Sequence, residues 1–544
     1  MEQLLFSSFQ PDTSSAVLVS AAVLLGLWVV PFFIDKYDLQ SCPGPLLAKF
    51  SNLWLTLKAY NCEVTTAIDA AHQRYGPIVR LSPKHVSIAD PDALNVVYGH
   101  SSGTLKSDFY DTFVVFRTSM FTTRSRPEHA RKRKYTAHAM SMKGIADFEP
   151  AVRGHQHKLV KQFDDMCAAG AQGKRGVLGS CSWTASGGLA WLDCVPWLNF
   201  ETFDIIGDLA FGAPFGMLEA GRDTARVPKS EARAMKSYGR KDDGLEWSTA
   251  PAIQVIRGSG HANFVIGCLP PHFRPLVKKV RELMAGFTSP RFLGKIAIAA
   301  VAKRLSSELT RKDFLSHIVA ARDEDGKPLS EQEVTSEAIS LIVAGSETTA
   351  SSLGAIVYYI ARDQGVQAKL QQELDEALGA PELDANTDEV VAPFDAVKNL
   401  AYLQDVINEG LRLHSTLGFG LPREVPVGGL TVAGRTFPAG THISCPMYTL
   451  HRLQSIWGDD ADVFNPDRWA RGDRKTMLSA FAPFSLGPRA CIGRNLAMME
   501  MTICVATVFH RYRVVLGSPD QQLDVHESFV RKPKSVLVGL QRRA

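Results

Sequence analysis

Residues 484–493 read Phe484-Ser-Leu-Gly-Pro-Arg-Ala-Cys-Ile-Gly493, and the interpretation of the 544-residue chain starts from this stretch. A single cysteine, Cys491, lies in a loop framed by Gly487 and Gly493, with Arg489 two residues before it. Glycine has no Cβ, so the backbone can pass close to a flat, bulky group. A helix-favouring run follows, and amide N–H groups at a helix N-terminus stabilise a thiolate. The stretch therefore predicts an anionic sulfur ligand that is held rigidly.

The spacing Phe-x-x-Gly-x-Arg-x-Cys-x-Gly resembles the haem-binding loop of the cytochromes P450. That resemblance implies that Cys491 is the axial thiolate of a haem iron. It also implies that Phe484, Gly487 and Gly493 shape the loop, and that Arg489 contacts the haem. The alternative is a membrane-anchored scaffold in which Cys491 is a structural cysteine, and that alternative predicts no haem.

The composition is that of an ordinary globular protein. The chain is 45% hydrophobic and 21% charged, and its formal net charge of +4 gives no support to nucleic-acid binding. The nine cysteines are odd in number and include no Cys-x-x-Cys pair. The spacing of cysteines therefore indicates neither a disulfide framework nor a zinc site.

An apolar run over residues 16–34 predicts a membrane anchor. At 1.5 Å per residue it would span roughly 28 Å, close to the hydrocarbon thickness of a bilayer. A cleaved signal peptide would have cations before the run, whereas the acids Glu2 and Asp12 are found there. Lysines follow the run and none precedes it, so the positive-inside rule predicts residues 1–15 in the lumen and the body in the cytoplasm.

Residues 35–47 contain the run Cys-Pro-Gly-Pro and predict a stiff hinge between the anchor and the body. A proline hinge after an anchor resembles the microsomal P450s, which implies single-pass anchoring in the endoplasmic reticulum membrane. Residues 48–544 then form the haem domain. Within this domain, residues 168–188 are rich in Gly, Ala and Ser without periodicity, and we expect a flexible surface insertion.

A long helical pattern from about residue 330 to residue 362 contains Ala344-Gly-Ser-Glu-Thr-Thr349. An acid beside a hydroxyl inside an apolar helix is costly unless it is used or solvated. The segment resembles the distal helix of the P450s. The resemblance implies that Glu347 and Thr348 form the catalytic acid–alcohol pair that relays protons during oxygen activation.

Further cations are implied as contacts of the haem propionates. His129 and Arg133 have the spacing of the Trp-x-x-x-Arg pair of the family, with histidine in place of tryptophan. Arg423, in Leu-Pro-Arg-Glu, aligns with a propionate-binding arginine of many P450s, and Arg489 would be another. The other cations around Arg133 could face an acidic redox partner: Arg131, Lys132 and Lys134.

The pair Glu409 and Arg412 has the i,i+3 spacing that puts both charges on one face of a helix. Downstream, Phe-Asn-Pro-Asp-Arg468-Trp resembles the segment that supplies the second arginine of the P450 triad. We therefore expect Glu409, Arg412 and Arg468 to lock the scaffold beneath the haem, as a structural triad.

Together these motifs predict a mainly α fold of the P450 type, a helix-rich triangular body with a small β-rich lobe. The resemblance implies a monooxygenase that uses haem, O₂ and NADPH-derived electrons. No segment resembles a flavin domain, so a separate NADPH–cytochrome P450 reductase is implied, with cytochrome b5 as a second candidate donor. A haem-thiolate protein that does not oxygenate would be expected to lack the acid–alcohol pair.

Three segments narrow the expected substrate, because they are similar to fungal benzoate para-hydroxylases: residues 128–134, 203–217 and 409–416. The resemblance implies conversion of benzoate, or a close aromatic acid, into its 4-hydroxy product. Such a substrate needs a flat apolar slot and a donor for its charge. As hypotheses, Phe113 and Phe116 form the slot, and Tyr110 or Arg117 holds the carboxylate. The alternative is a secondary-metabolite hydroxylase that acts on a larger aromatic or polyketide-type intermediate.

Overall fold

The computed structural model describes residues 26, 29–30, 32–240, 244–284, 290–307, 312–323, 325–382 and 387–543. Residues 1–15 and most of the expected anchor at 16–34 lie outside these ranges. The described chain is mainly helical, with short strands gathered into small sheets, as the sequence predicts.

The helices are α1 Leu46–Phe50, α2 Leu53–Tyr60, α3 Val64–Tyr75, α4 Pro91–Tyr98, α5 Arg126–Ala137, α6 Met142–Ala146, α7 Glu149–Ala171, α8 Cys194–Phe211, α9 Met217–Ala220, α10 Glu231–Lys236, α11 Ala252–Cys268, α12 Arg274–Met284, α13 Pro290–Leu305, α14 Phe314–Ala320, α15 Glu331–Arg362, α16 Gln364–Leu378, α17 Phe394–Val397, α18 Ala401–His414, α19 Met447–Leu450, α20 Gln454–Trp457, α21 Arg468–Arg471, α22 Arg474–Ala480 and α23 Arg494–Arg511. Short 3₁₀ turns lie at Asp108–Phe113, Asp388–Val390 and Gly487–Arg489.

The strands are β1 Ile78–Ser82, β2 His85–Ile88, β3 Leu105–Lys106, β4 Gly176–Leu178, β5 Cys181–Ser186, β6 Leu189–Asp193, β7 Ala225–Pro228, β8 Trp247–Ala250, β9 Arg423–Glu424, β10 Leu430–Val432, β11 Arg435–Phe437, β12 His442–Ser444, β13 Tyr512–Leu516, β14 Val525–Glu527, β15 Arg531–Pro533 and β16 Leu537–Arg542. One five-stranded sheet has the order β1-β2-β12-β9-β3, and a second has the order β13-β16-β6-β5-β4. Hairpins β7–β8, β10–β11 and β14–β15 complete the β structure described.

The long helix α15 forms the centre of the body. Ser330 caps it by accepting a hydrogen bond from the Glu333 N–H at 3.2 Å. Gly345 lets α15 approach α8 closely, because a Cβ at this position would come within 2.6 Å of Ile206. Among the described helices, α15 is the one long and apolar enough to cross a membrane, but 67% of its apolar window is buried inside the protein. It is therefore a core helix.

The segment 168–188 is a correction to the sequence analysis. We expected a flexible insertion, but α7 continues to Ala171, and strands β4 and β5 then extend the sheet built on β13, β16 and β6. The sequence gives no alternating apolar pattern for strands β4 and β5, because most of their side chains are small and polar. Ladder hydrogen bonds and the pairing of Trp183 with Leu192 hold them instead of an apolar stripe.

The hinge is fixed to the body at strand β1. The Arg80 N–H donates to the Pro43 carbonyl at 2.8 Å. A Cβ on Gly44 would lie 2.5 Å from the Arg80 carbonyl, so only glycine allows this approach. The chain therefore leaves the hinge in a set direction.

Candidate active site

The Cys491 loop is closed by its own backbone. The Cys491 N–H donates to the Phe484 carbonyl at 2.9 Å, and helix α23 begins three residues later. Gly487 has a φ of +64°, and a Cβ there would lie 2.2 Å from the Tyr98 carbonyl. The loop therefore has the form expected from the glycine spacing, with the cysteine just before a helix N-terminus.

The Cys491 side chain is exposed, in contrast to the buried thiols of most other cysteines. Dense protein around the thiol raises its pKa, whereas the Gly493 N–H and the charges of Arg133 and Arg494 lower it. The sulfur is thus accessible to a ligand, and the groups facing it stabilise its anionic form.

Four cations and a histidine gather beside this loop from distant parts of the chain. Arg133 of α5 donates to the Ala490 carbonyl at 2.9 Å, and Arg489 donates to the Thr123 carbonyl at 2.9 Å. Arg423 of β9 donates to the Tyr110 hydroxyl at 3.0 Å. The remaining members are Lys106, which contacts the Phe121 carbonyl, and the buried His129.

None of these five groups forms an ion pair with a carboxylate of the described residues. Burial, together with the charges of Arg423 and Arg489, holds the pKa of Lys106 well below its usual range. Burial and the neighbouring arginines lower the pKa of Arg489 to about 10. Burial and the surrounding cations also lower the pKa of His129 to about 3, so this ring is neutral. Unpaired buried cations are costly unless an anion meets them.

The donor set fits haem. An accessible sulfur just before a helix suits an axial thiolate, and unpaired cations beside it suit the two propionates. Of the expected propionate contacts, Arg423, Arg489 and Arg133 belong to this cluster, although Arg133 is engaged with the loop backbone. Lys106 was missed by the sequence analysis, because a lone lysine in a two-residue strand carries no motif.

The scaffold triad is assembled as expected. Glu409 accepts from Arg412 at 2.8 and 2.9 Å and from the Arg468 Nε at 2.9 Å, and all three side chains are buried. Trp469 adds a fourth bond, donating its indole N–H to Glu409 at 3.0 Å. Arg412 also donates to the His451 carbonyl at 2.6 Å, which ties α18 to the segment that leads to the cysteine loop.

The acid and the alcohol of α15 point to different partners. The Thr348 hydroxyl donates to the Ala344 carbonyl at 2.8 Å, beside an exposed Ala344 in the middle of the helix. Glu347 is buried and paired with the Lys532 ammonium on β15. Burial lowers the pKa of Lys532, although Glu347 opposes that shift. Among the hydrogen bonds of the described residues, none joins Glu347 to Thr348.

Five phenylalanine rings pack together between the 108–121 loop, α11 and the β14–β15 hairpin, and we call this cluster the aromatic chamber. We define it by Phe109, Phe113, Phe264, Phe419 and Phe529. Ring centroids are 5.1 Å apart for Phe113 and Phe529, 4.8 Å for Phe264 and Phe419, and 5.8 Å for Phe109 and Phe264. Three of these rings come from outside the expected loop, so sequence proximity alone could not identify the chamber.

Two of the four substrate hypotheses disagree with the structure. Arg117 is exposed, and its Nε donates to Gln332 of α15 at 3.4 Å, outside the chamber. Phe116 packs against Gly294 of α13, where a Cβ would meet its ring at 2.8 Å. Chain direction separates them from Phe113, because the loop leaves the 3₁₀ turn at that residue. The Tyr110 hydroxyl accepts from Arg423, so it belongs to the cation cluster.

The expected redox-partner face on α5 is also corrected. Lys132 is buried and contacts Glu333 at 2.6 Å and Glu337 at 3.0 Å, and Arg131 pairs with Glu333 at 2.8 Å. These two cations hold α5 against α15. Lys134 alone of the three is exposed.

Arg257 is a cation that the sequence analysis missed. It lies on α11 seven residues before Phe264, two helical turns away on the same face. Its buried Nε–H meets no acceptor among the described residues. Its charge acts on Lys532 and His526 of the β14–β15 hairpin, so it lies at the chamber end near Glu347.

Comparison with known proteins agrees with this geometry. The family model described as Cytochrome P450 matches residues 42–540. Benzoate 4-monooxygenase bphA of Aspergillus niger is 39% identical over 532 residues, which cover 96% of each chain. Cytochrome P450 monooxygenase ORF9 of Penicillium roqueforti is 30% identical over 96% of this chain and 92% of its own. Cytochrome P450 monooxygenase atr2 of Stereocaulon alpinum is 28% identical over 99% and 98%, respectively.

Proposed function

Because the chain belongs to the cytochrome P450 family and is a cytochrome P450 monooxygenase, we propose that its substrate is a small aromatic carboxylate. The reaction proposed is conversion of benzoate to 4-hydroxybenzoate. Two observations support it: the similarity to a benzoate 4-monooxygenase, and the chamber that combines five phenylalanines with a half-buried arginine whose Nε–H is buried.

Haem bound by Cys491 would supply oxygen activation and the insertion of one oxygen atom into the ring. The residues of the chain hold and shield this group. Lys106, Arg423 and Arg489 would neutralise its carboxylates, and the Glu409 triad would keep the cysteine loop in place. The Gly493 N–H and Arg133 favour the anionic form of the sulfur, against the burial that raises its pKa.

The acid–alcohol pair delivers protons in two stages. Glu347 would exchange protons with the region around Lys532, and its carboxylate would leave that ion pair before it passes a proton to Thr348. Thr348 rotates its hydroxyl away from the Ala344 carbonyl and passes the proton on. Both side chains are restrained by one partner each, so delivery requires breaking one bond at each residue.

Arg257 carries the substrate proposal. A buried guanidinium N–H without an acceptor is a costly feature that a substrate carboxylate would satisfy. Asp223 feels the charge of Arg257, but its carboxylate already accepts from the backbone of Ile253 and Gln254. Benzoate would thus place its carboxylate at Arg257 and its ring against Phe264 and Phe529.

A larger substrate is the second candidate, and one cavity favours it. A groove of about 210 Å³ is lined in part by Phe109 and Phe419, and Arg257 is not among its lining residues. It is lined in part by Leu55 and His442. If the chamber opens into this groove, a larger aromatic intermediate of secondary metabolism would fit.

Electron supply and location follow from the same proposal. We expect NADPH–cytochrome P450 reductase to be the donor, with cytochrome b5 as a second one. The apolar run at 16–34 supports an anchor in the endoplasmic reticulum membrane with the body in the cytoplasm.

The test of the substrate is a binding titration on the haem-loaded protein, followed through the spin-state shift of its absorption spectrum. Benzoate should bind, and methyl benzoate, which has the same ring without the charge, should bind more weakly. Arg257→Gln should abolish that preference. Arg117→Gln, which changes an exposed arginine, should leave it unchanged. Equal binding of the acid and its ester by the unaltered protein would refute a carboxylate-specific site.

A further inference from the structure

One thiol and two imidazoles lie close together where the α2–α3 turn, helix α11 and strand β14 meet. The Cys62 Sγ lies 3.7 Å from the His261 Nδ1 and 3.7 Å from the His526 Nε2. The three donor atoms all lie within 4.8 Å of one another, and all three residues are half-buried. They are separated by up to 464 positions in the chain, so the fold alone brings them together.

The spacing matches a tetrahedral metal centre. With Zn–S near 2.3 Å and Zn–N near 2.0–2.1 Å, a tetrahedral ion separates sulfur from nitrogen by roughly 3.6 Å. Both sulfur–nitrogen distances in this cluster are 3.7 Å. Small rotations of the imidazoles would bring the two nitrogens to the remaining edge.

Hydrogen bonds are the alternative to a metal in this cluster. The thiol can donate to one ring or to the Tyr60 carbonyl at 3.7 Å, and the sulfur can accept the N–H of the other ring. Cys62 is also held at a φ of +60°, a conformation that a non-glycine residue adopts rarely.

The surrounding charges are mixed. The ring nitrogens that face the sulfur are His261 Nδ1 and His526 Nε2, and a neutral imidazole offers a lone pair at one of its ring nitrogens. The carboxylates of Glu527 and Glu63 act on Cys62, as does the opposing cation of Lys534. The site is therefore not purely cationic, and we expect moderate affinity.

We propose that Cys62, His261 and His526 form a Zn²⁺ site with its fourth position open to water. On binding, the Cys62 thiol gives its proton to solvent and the thiolate coordinates the metal. A neutral-imidazole and thiolate donor set suits zinc better than magnesium or calcium, which prefer oxygen ligands. This inference does not depend on the proposed substrate.

A metal at this site would cross-link the elements that surround the aromatic chamber. His261 lies on α11 three residues before Phe264, and His526 lies on β14 three residues before Phe529. Cys62 belongs to the turn between α2 and α3, so the metal would join three elements around the aromatic rings. Zinc should therefore slow ligand entry into the chamber and stabilise the folded protein, because it binds the native state.

The test is zinc binding by the haem-loaded, full-length protein after dialysis against a chelator. The unaltered protein should bind one equivalent of zinc per haem in equilibrium dialysis. Cys62→Ser, His261→Gln and His526→Gln should each weaken that binding by at least about tenfold. His100→Gln is the matched control, because His100 is exposed and lies away from the cluster. The carbon monoxide difference spectrum checks that each variant is folded.

A second readout separates the cluster from stray surface sites. Zinc should raise the unfolding temperature of the unaltered protein and of His100→Gln, but not that of the three ligand variants. Zinc binding that survives all three substitutions would overturn the proposal. So would the absence of zinc binding by the unaltered protein, which would leave a hydrogen-bonded trio only.

Discussion

The Cys491 loop and the aromatic chamber differ in how they are built. The loop takes its chemistry from ten consecutive residues, with Phe484 and Cys491 joined by a backbone hydrogen bond. The chamber takes its side chains from four separate segments that span residues 109 to 529. A ligand loop of fixed spacing is therefore readable in the sequence, whereas a substrate site assembled by packing is not.

The largest expected effect concerns the loop. Cys491→Ala removes the sulfur that interacts with Arg133 and Arg494, so we expect the carbon monoxide difference band of the thiolate and all turnover to be lost. Cys181→Ala, in strand β5, should retain both. If Cys491→Ala kept the thiolate band, the assignment of the ligand would be wrong.

The next effect concerns the support beneath the loop. Glu409→Gln leaves Arg412 buried without a counter-charge and leaves Arg468 with Asp460 alone, and breaking a buried pair costs about 3–5 kcal/mol. Chemical denaturation followed by the loss of haem absorbance measures this. As a matched control, Glu219→Gln breaks an exposed pair with Lys158 and should change the midpoint little.

The sequence predicted these elements well because their information is local. The start of α15 near residue 330 and the spacing of Glu409 and Arg412 each depend on neighbouring residues. Arg468 could be added because its segment has a motif of its own. Trp469 is its neighbour, but an indole beside the triad has no signature apart from burial.

The features that the sequence did not predict depend on contacts between distant residues or lack a periodic pattern. Phe116 and Arg117 lie next to Phe113 in sequence, but the chain leaves the 3₁₀ turn there and carries them to α13 and α15. Lys532 lies 185 positions from Glu347, and only the fold pairs them. Strands β4 and β5 were missed because small polar residues carry no periodicity.

The third prediction concerns proton delivery by Glu347, which lies between the Cys491 loop and the aromatic chamber in the order of expected effects. Glu347→Gln cannot exchange a proton, so we expect product formation to fall by about 10² or more, since positioned acids and bases contribute typically 10²–10⁴. NADPH consumption should fall less, because electrons would still arrive. Measuring product per NADPH separates this effect from a loss of folding, and Glu333→Gln, on the same helix near its start, is the comparison.

The smallest of these effects concerns the chamber alone. Arg257→Gln removes a charged donor worth about 1.5–3 kcal/mol, so the Kd of benzoate should rise by roughly tenfold to a hundredfold. The thiolate band should stay unchanged, because Arg257 belongs to α11 and not to the cation cluster. An unchanged Kd would move the carboxylate site elsewhere in the chamber.

The central claim is that this P450 hydroxylates a small aromatic acid, and its most direct test is product analysis. The full-length, haem-loaded protein is combined with NADPH–cytochrome P450 reductase, NADPH and benzoate, and the products are separated by liquid chromatography. We predict 4-hydroxybenzoate in an amount that depends on NADPH and is lost in Cys491→Ala. Absence of any hydroxybenzoate, while the same preparation shows the thiolate band and oxidises a larger aromatic compound, would contradict the claim.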